Sequence, residues 1–80
     1  MPNLVLYYFE DCPYCDLVMD FMASQNIVIP IKDIRKDPKA KKELLRVGGR
    51  TQVPCLGIDG KALYESADII QWFKDNVKKS

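Results

Sequence analysis

Residues 4–15 have the sequence LVLYYFEDCPYC, an apolar run followed by two acidic residues and a pair of cysteines. Residues 4–9 are all apolar or aromatic, which predicts a β-strand buried on both faces. Residues 13–25 predict an amphipathic helix, and a proline is tolerated in its first turn because the missing N–H has no partner there. The apolar face of this helix is formed by Leu17, Val18, Phe21 and Met22. Cys12 and Cys15 are therefore expected where a strand gives way to a helix.

The rest of the chain continues as alternating segments of strand and helix pattern. Pro30 places the second strand at a sheet edge, because proline cannot donate to a strand ladder. Asp37-Pro38 marks a helix start, Gly48-Gly49 its end, and Asp59-Gly60 is typical of a hairpin turn. Ser66 is expected to be the N-cap of the last helix. The predicted segments are a strand over 27–34, a helix over 39–47, strands over 53–58 and 61–64, and a helix over 66–77.

The element order is βαβαββα, which predicts an α/β fold. The first two strands are joined by a crossover helix and should be parallel, whereas the last two should form an antiparallel hairpin in the same sheet. We expect one domain over residues 1–80, with a four-stranded mixed sheet flanked by three helices.

Composition narrows the classes of protein further. The chain has 80 residues, of which 48% are hydrophobic and 29% charged, and its formal net charge is +1. Its apolar stretches are far shorter than the roughly 20 residues of a membrane helix, and no signal-peptide pattern is present, so a cytoplasmic protein without membrane contact is expected. No Lys or Arg precedes Lys32, and a basic cluster follows. That cluster fits a solvated helix face, because no nucleic-acid-binding pattern accompanies it.

The three cysteines are expected to serve chemistry rather than a disulfide scaffold. A helix N-terminus stabilises a thiolate, so Cys12 is the candidate nucleophile and Cys15, one turn further on, the candidate resolving thiol. A structural zinc site normally needs four ligands, and this chain has three cysteines and no histidine, so we expect no metal. A metal or iron–sulfur site shared between two copies stays open. Cys55 is expected to be a small core residue.

The sequence Cys12-Pro13-Tyr14-Cys15 after a Tyr-rich strand resembles the active site of dithiol glutaredoxins. That resemblance implies a thioredoxin-like fold. The segment 49–54, GRTQVP, is similar to the Thr-Val-Pro segment of the family, which implies a cis peptide before Pro54 and a backbone at Val53 that pairs with glutathione. By the same resemblance Tyr14, Thr51 and Gln52 line the glutathione groove. An ordinary trans proline at the strand entry is the alternative for Pro54.

Ser66-Ala67-Asp68 lies where glutaredoxins hold the γ-glutamyl end of glutathione. The N–H groups of the helix would bind the carboxylate, and Asp68 the amine. A simple capping role for Ser66 and Asp68 is the alternative.

Two positions depart from the glutaredoxin pattern. Phe9 stands where dithiol glutaredoxins usually carry a Lys, which removes a charge partner for one glutathione carboxylate. Residues 63–66, LYES, replace the usual Gly-Gly and resemble the N-terminal domain of glutathione transferases. A transferase would continue into a helical second domain.

The resemblance implies a glutathione-dependent thiol–disulfide oxidoreductase that reduces glutathione mixed disulfides and protein disulfides. We expect a monomer in cell redox homeostasis and electron transport, with glutathione as co-substrate and no other cofactor. One alternative is an electron donor that depends on thioredoxin reductase, which Phe9 favours. The other is a non-catalytic iron–sulfur carrier in which Cys12 of two copies and external glutathione hold the cluster, which the rigid Pro13 disfavours.

Overall fold

The computed structural model describes residues 3–77 and contains a mixed sheet with helices on both faces. The elements are β1 (Leu4–Tyr8), α1 (Pro13–Ser24), β2 (Ile31–Asp33), α2 (Pro38–Gly48), β3 (Cys55–Ile58), β4 (Lys61–Tyr64) and α3 (Ser66–Asn76). The sheet order is β2-β1-β3-β4, with β1 parallel to β2 and antiparallel to β3, and β3 antiparallel to β4. The predicted fold class, element order and strand directions are confirmed.

Two apolar clusters hold the helices onto the sheet. On one face, α1 and α3 pack against β1 and β3, and the buried residues are Leu4, Leu6, Val18, Met22, Ile27, Leu56, Ile69 and Phe73. On the other face α2 is held by a smaller cluster that consists of Tyr7, Ile34, Ala40, Leu44 and Cys55. The sheet is thus the middle of three layers, and β1 lies in its centre. The end of β1, where the loop to Cys12 begins, is therefore held by a strand on each side.

A polar network ties α2 to the two parallel strands. The Tyr7 hydroxyl donates to Glu43 Oε1 at 2.9 Å, and Lys32 Nζ lies 2.9 Å from both carboxylate oxygens. The Lys32 ammonium and the Tyr7 hydroxyl lower the pKa of the Glu43 carboxyl, in that order of importance. The Glu43 carboxylate thereby gives the hydroxyl of the buried Tyr7 a hydrogen-bond acceptor.

Three sequence expectations are corrected. The second strand covers Ile31–Asp33 rather than 27–34, because Pro30 cannot donate and contributes only its carbonyl, which accepts from Leu6 N–H at 3.0 Å. Leu17 is 53% exposed and lies outside the core face of α1. Ser66 is not the N-cap: it is the first residue of α3, and Glu65 holds the cap position with a φ of 74°.

The turns agree more closely with the sequence. Gly49 ends α2 in the left-handed conformation, with a φ of 78°. Asp59 and Gly60 both have positive φ, as a type I′ hairpin turn requires. Within the described part of the chain, no helix combines the length and apolar character needed to cross a membrane.

Candidate active site

Cys12 is the N-cap of α1. Its backbone is extended, with φ −102° and ψ 109°, and its Sγ accepts a hydrogen bond from the Cys15 N–H at 3.3 Å. The sulfur thus takes the place of the side-chain oxygen that usually caps a helix, and it lies at the positive end of the helix dipole. Both interactions place the start of the helix directly at this sulfur. Cys12 is 6% exposed.

Cys15 lies one helical turn below Cys12 and is fully buried. Burial is the largest cause that raises the pKa of the Cys15 thiol to about 12, and its hydrogen bond with Cys12 adds to the effect. At neutral pH Cys15 is therefore a neutral thiol. The roles of nucleophile for Cys12 and resolving thiol for Cys15 stay predictions from the sequence.

Cys55 belongs to the core cluster beneath α2 and is fully buried. Burial raises the pKa of its thiol to about 11. The expectation that Cys55 is a small core residue is confirmed, and its thiol is not available as a nucleophile near neutral pH.

We expect iodoacetamide at pH 7 to alkylate Cys12 in the folded, reduced protein and to leave Cys15 and Cys55 unmodified. A thiol whose pKa is raised well above its usual value by burial is almost entirely protonated at this pH and reacts slowly. Peptide mapping by mass spectrometry measures the sites, and alkylation in urea at pH 9 is the control in which all three cysteines react. Modification of Cys55 in the folded protein at a rate comparable with Cys12 would contradict the burial described above.

A cavity of about 280 Å³ lies beside Tyr14, the residue before Cys15, and we call it the peptide groove. The peptide bond between Val53 and Pro54 is cis, as the sequence resemblance implies. The groove is lined by Tyr14, Gln52, Val53, Pro54, Glu65 and Ser66. Five of these six residues are candidates from the sequence, and the fold brings them together from α1, the segment before β3 and the start of α3.

The other three candidates lie outside the lining of the peptide groove. Thr51 is half-buried and lines a neighbouring cavity. Ala67 and Asp68 follow Ser66 in the first turn of α3 and are exposed. Their side chains are therefore open to a ligand that extends past the groove along the helix start.

Glu65 is a groove residue that the sequence analysis did not select. No side-chain hydrogen bond caps α3, and the Glu65 carboxylate instead accepts from Gln52 Nε2 at 3.2 Å. Its φ of 74° is uncommon for a residue other than glycine or asparagine, so no propensity rule predicts it. The one feature of the sequence that could have indicated Glu65 as a groove residue is its position directly before Ser66, in the stretch 63–66 that resembles glutathione transferases.

A second cavity, of about 520 Å³, lies on the other side of the segment before β3, and we call it the basic cleft. Its lining residues are Phe9, Ile34, Arg35, Pro38, Lys41 and Thr51. The Arg35 guanidinium carbon stands 3.9 Å from the centre of the Phe9 ring. Thr51 lines this cleft and Gln52 lines the peptide groove, so the two cavities adjoin at consecutive residues.

The segment that separates the two cavities is anchored by Tyr64. The Tyr64 hydroxyl donates to the Arg50 carbonyl at 3.0 Å, and the Arg50 guanidinium lies 4.1 Å from the ring centre. This contact requires a glycine at position 48. A Cβ there would stand 1.8 Å from the Tyr64 hydroxyl oxygen and 2.9 Å from the Ala62 Cβ.

We expect Gly48→Ala to lower the free energy of unfolding by about 1–3 kcal/mol, the usual cost of overpacking, although alanine is the better helix former. Urea unfolding measures the change. In a Tyr64→Leu background the hydroxyl is gone, and the same substitution should cost much less. An equal cost in both backgrounds would show that Tyr64 is not the obstacle.

Among residues 3–77, no group of three or more His, Cys, Asp or Glu side chains is arranged to hold a metal ion. The observed sheet order, the cysteine pair at the start of α1 and the cis proline before β3 together define a thioredoxin-like protein.

Known proteins are similar to this chain in sequence and in fold. Residues 6–80 match the family model of the glutathione S-transferase N-terminal domain. Glutaredoxin 3 of Escherichia coli strain K12 is 30% identical over 61 residues, which cover 76% of this chain and 74% of that protein. The thioredoxin-like protein BC3987 superposes with a TM-score of 0.75 at 27% identity, over 86% of this chain and 96% of that one. Glutaredoxin 2 from Salmonella typhimurium, solved in complex with glutathione, superposes with a TM-score of 0.74 at 26% identity, over 96% of this chain and 34% of that one.

The chain belongs to the glutaredoxin family, within the thioredoxin-like group that also includes the glutathione S-transferase N-terminal domain. Both resemblances noted in the sequence are confirmed. Family membership indicates a function in glutathione-related thiol redox chemistry.

Proposed function

We propose that the protein is a glutathione-dependent thiol–disulfide oxidoreductase that reduces glutathione mixed disulfides and protein disulfides. One observation carries this proposal: the Cys12 sulfur caps α1 and accepts the Cys15 N–H, and Tyr14 in the first turn of that helix shares the peptide groove with Val53 and Pro54. A stabilised sulfur nucleophile beside a groove bounded by peptide backbone suits a small peptide disulfide as substrate.

In the reaction with a glutathione mixed disulfide, the Cys12 thiolate attacks the glutathione sulfur. A Cys12–glutathione disulfide forms, the S–S bond of the substrate breaks, and the protein sulfur leaves as a thiolate that takes up a proton. The thiolate of a second glutathione then attacks the bound glutathione sulfur and releases glutathione disulfide and the Cys12 thiolate. In total the sulfur of the substrate protein is reduced to a thiol and the sulfur of the glutathione from solution is oxidised, while the substrate's own glutathione sulfur passes from one disulfide to the next.

Protein disulfides require Cys15. Cys12 attacks one sulfur and releases the other as a thiolate, and the Cys15 sulfur then attacks Cys12, loses its proton and releases the second substrate sulfur. The resulting Cys12–Cys15 disulfide is reduced by two glutathione molecules in turn. The burial of Cys15 keeps its sulfur away from external disulfides until Cys12 has reacted.

Glutathione binding is assigned to the peptide groove and the adjoining start of α3. The Val53 backbone pairs with the cysteinyl unit of glutathione, with Tyr14, Gln52 and Pro54 around it in the peptide groove and Thr51 beside it in the basic cleft. At the start of α3 no side chain caps the helix, so the first N–H groups at Ser66 and Ala67 are free of a side-chain partner and favour the γ-glutamyl carboxylate. Asp68, exposed in that first turn, is the acidic group for the amine.

Glutaredoxin 2 from Salmonella typhimurium was solved in complex with glutathione, which supports glutathione as the ligand. We assign glutathione as co-substrate and require no other cofactor.

Phe9 favours a second candidate, an electron donor that depends on thioredoxin reductase. The residue stands in the basic cleft under Arg35, where glutaredoxins usually carry a Lys that contacts glutathione. Loss of that contact would lower the need for glutathione.

A coupled assay separates the two candidates. A glutathionylated peptide is reduced with glutathione, glutathione reductase and NADPH in one arm, and with thioredoxin reductase and NADPH in the other. We expect NADPH oxidation that depends on the protein in the first arm and only background oxidation in the second. Turnover in the second arm alone would replace the proposed function by the thioredoxin-reductase-dependent one.

A further inference from the structure

One face of α1 is exposed along the whole helix, and it begins directly after Cys12. Its residues are spaced three and four apart, so they lie on the same side of the helix. We call it the acidic face, and its five residues, all exposed, are Pro13, Asp16, Leu17, Asp20 and Ser24. None of them lines the peptide groove or the basic cleft. The acidic face is therefore used neither by the core nor by the glutathione site proposed above.

The two carboxylates of the acidic face have no ion-pair partner among residues 3–77. The ion pairs in that part of the chain join Lys32 to Glu43 and Lys36 to Glu10, so Asp16 and Asp20 are not neutralised. No Lys or Arg occurs before residue 32, and the basic residues of α2 lie beyond the opposite face of the sheet. A ligand with positive charge is therefore favoured at the acidic face.

The centre of the acidic face is apolar. Leu17 is 53% exposed although it stands on a helix that packs into the core through Val18 and Met22. A partner that covers Leu17 removes apolar surface from water, and the packed helix needs no ordering when the partner binds. With Asp16 and Asp20 beside it, Leu17 suits an apolar side chain that is flanked by Lys or Arg.

The distance from Cys12 determines which residues of a substrate reach the acidic face. The Asp16 N–H donates to the Cys12 carbonyl at 3.0 Å, so Asp16 lies one helical turn from Cys12. At 1.5 Å per residue, Leu17 and Asp20 lie roughly 8 and 12 Å along the helix from Cys12. An extended peptide advances about 3.3 Å per residue. A substrate cysteine at Cys12 therefore brings its second to fourth neighbours alongside the acidic face.

We propose that the acidic face of α1 binds a basic segment of the protein substrate, about two to four residues from the cysteine whose disulfide reacts with Cys12. This proposal rests on the proposed function and names the class of substrate for that same site. Lys or Arg side chains of the segment pair with Asp16 and Asp20, and an apolar side chain between them covers Leu17. The peptide groove stays open to glutathione at the same time, because it contains none of these residues.

The test compares two glutathionylated peptides in the coupled assay with glutathione reductase. Each carries a segment at the second to fourth positions on both sides of the cysteine, Lys-Leu-Lys in one peptide and Gln-Leu-Gln in the other. At low ionic strength we expect kcat/KM to be roughly fivefold higher for the Lys peptide, the size that two exposed ion pairs provide. In about 0.5 M salt the preference should fall to within about twofold, because exposed charges are then screened.

A third peptide tests the distance from the cysteine. It carries the same Lys-Leu-Lys segments about six residues further out, so its net charge is unchanged. Its segments then begin roughly 26 Å from the cysteine in an extended chain, beyond the roughly 18 Å that α1 spans. We expect its kcat/KM to lie within about twofold of that of the Gln peptide.

Asp16→Asn/Asp20→Asn should abolish the preference for the Lys peptide and leave kcat/KM for the Gln peptide within about twofold of the parent protein. Asp59→Asn/Asp75→Asn is the matched control, because it removes the same charge at two exposed residues outside the acidic face. Asp59 lies in the hairpin turn, where asparagine tolerates the positive φ, and Asp75 lies near the end of α3. The control should keep most of the preference.

Leu17→Gln tests the apolar centre of the acidic face. It should lower kcat/KM for the Lys peptide about threefold, because less apolar surface is then covered. The mixed disulfide of glutathione and 2-mercaptoethanol has no segment that reaches Leu17, so its kcat/KM should stay at the parent value. An equal loss with both substrates would assign Leu17 to the reaction itself and contradict its role in docking.

Equal kcat/KM for the Lys and Gln peptides at low ionic strength would overturn the docking proposal. Equal loss of the preference in the two double variants, or an undiminished preference for the third peptide, would also overturn it, because either result assigns the effect to net charge. A parent protein that is dimeric in analytical ultracentrifugation, with a monomeric Asp16→Asn/Asp20→Asn variant, would assign the acidic face to a second copy of this chain. Failure to reduce any of the three peptides would instead contradict the proposed function, so the two failures are distinguishable.

Discussion

Replacement of Cys12 by serine is expected to lower the reduction of glutathione mixed disulfides and of protein disulfides at least ~10³-fold, the scale seen when a nucleophile is removed. Every step of the proposed reaction forms or breaks a bond at this sulfur. A serine hydroxyl can keep the capping hydrogen bond from the Cys15 N–H, so the helix start and the fold should persist. The loss would therefore be chemical rather than structural.

Cys55→Ser is the matched control, because it makes the same change of atom at a buried cysteine away from the groove. It should keep turnover while lowering stability somewhat, since the new hydroxyl is buried. Steady-state assays on both substrates, with circular dichroism to verify folding, measure the effect. Substantial activity in folded Cys12→Ser would assign the attack to another group.

Cys15→Ser is expected to separate the two reactions. Reduction of glutathione mixed disulfides should stay within about threefold of the parent, because only Cys12 accepts the glutathionyl group. Reduction of a protein disulfide should fall at least ~tenfold, because nothing inside the molecule resolves the intermediate between Cys12 and the substrate. That intermediate should accumulate and appear on a non-reducing gel.

Cys15→Ala is the control for Cys15→Ser, because a serine hydroxyl at this fully buried position could by itself destabilise the protein, whereas alanine adds no polar group. The two variants should behave alike. Equal loss of both activities in both variants would rule out the route that uses Cys12 alone.

The order of elements and the strand directions were predictable because their signals are local and strong. Pro13 and Gly49 mark the ends of helices through their own backbone limits, and Asp59-Gly60 fixes a hairpin. The position of Cys12 and Cys15 at the start of α1 follows from those signals alone. That is why the place of both cysteines in the fold could be predicted from the sequence.

The remaining errors arise where tertiary contacts outweigh local pattern. Ser66 has the composition of an N-cap, but Glu65 takes that position with a positive φ. Leu17 lies at helical spacing from the core residues of α1, yet its side chain is 53% exposed. A periodicity argument cannot locate the edge of a buried face to within one residue.

The basic cleft illustrates a different limit. Its charged residues were visible in the sequence as a basic cluster typical of a solvated helix face. The placement of Arg35 over Phe9, 26 positions earlier in the chain, depends on the fold of the loop between β2 and α2. No local rule gives such a pair, although Phe9 was already notable as a departure from the family pattern.

The most direct measurement on the proposed chemistry is the capture of glutathione on the Cys15→Ser variant. The reduced variant is mixed with a small excess of glutathione disulfide, quenched with acid and analysed by intact mass and peptide mapping. We predict one glutathione per chain, attached at Cys12 and released when reduced glutathione is added. An adduct at Cys55, or no adduct while the parent protein turns over glutathione mixed disulfides, would contradict the assignment of Cys12 as the group that accepts glutathione.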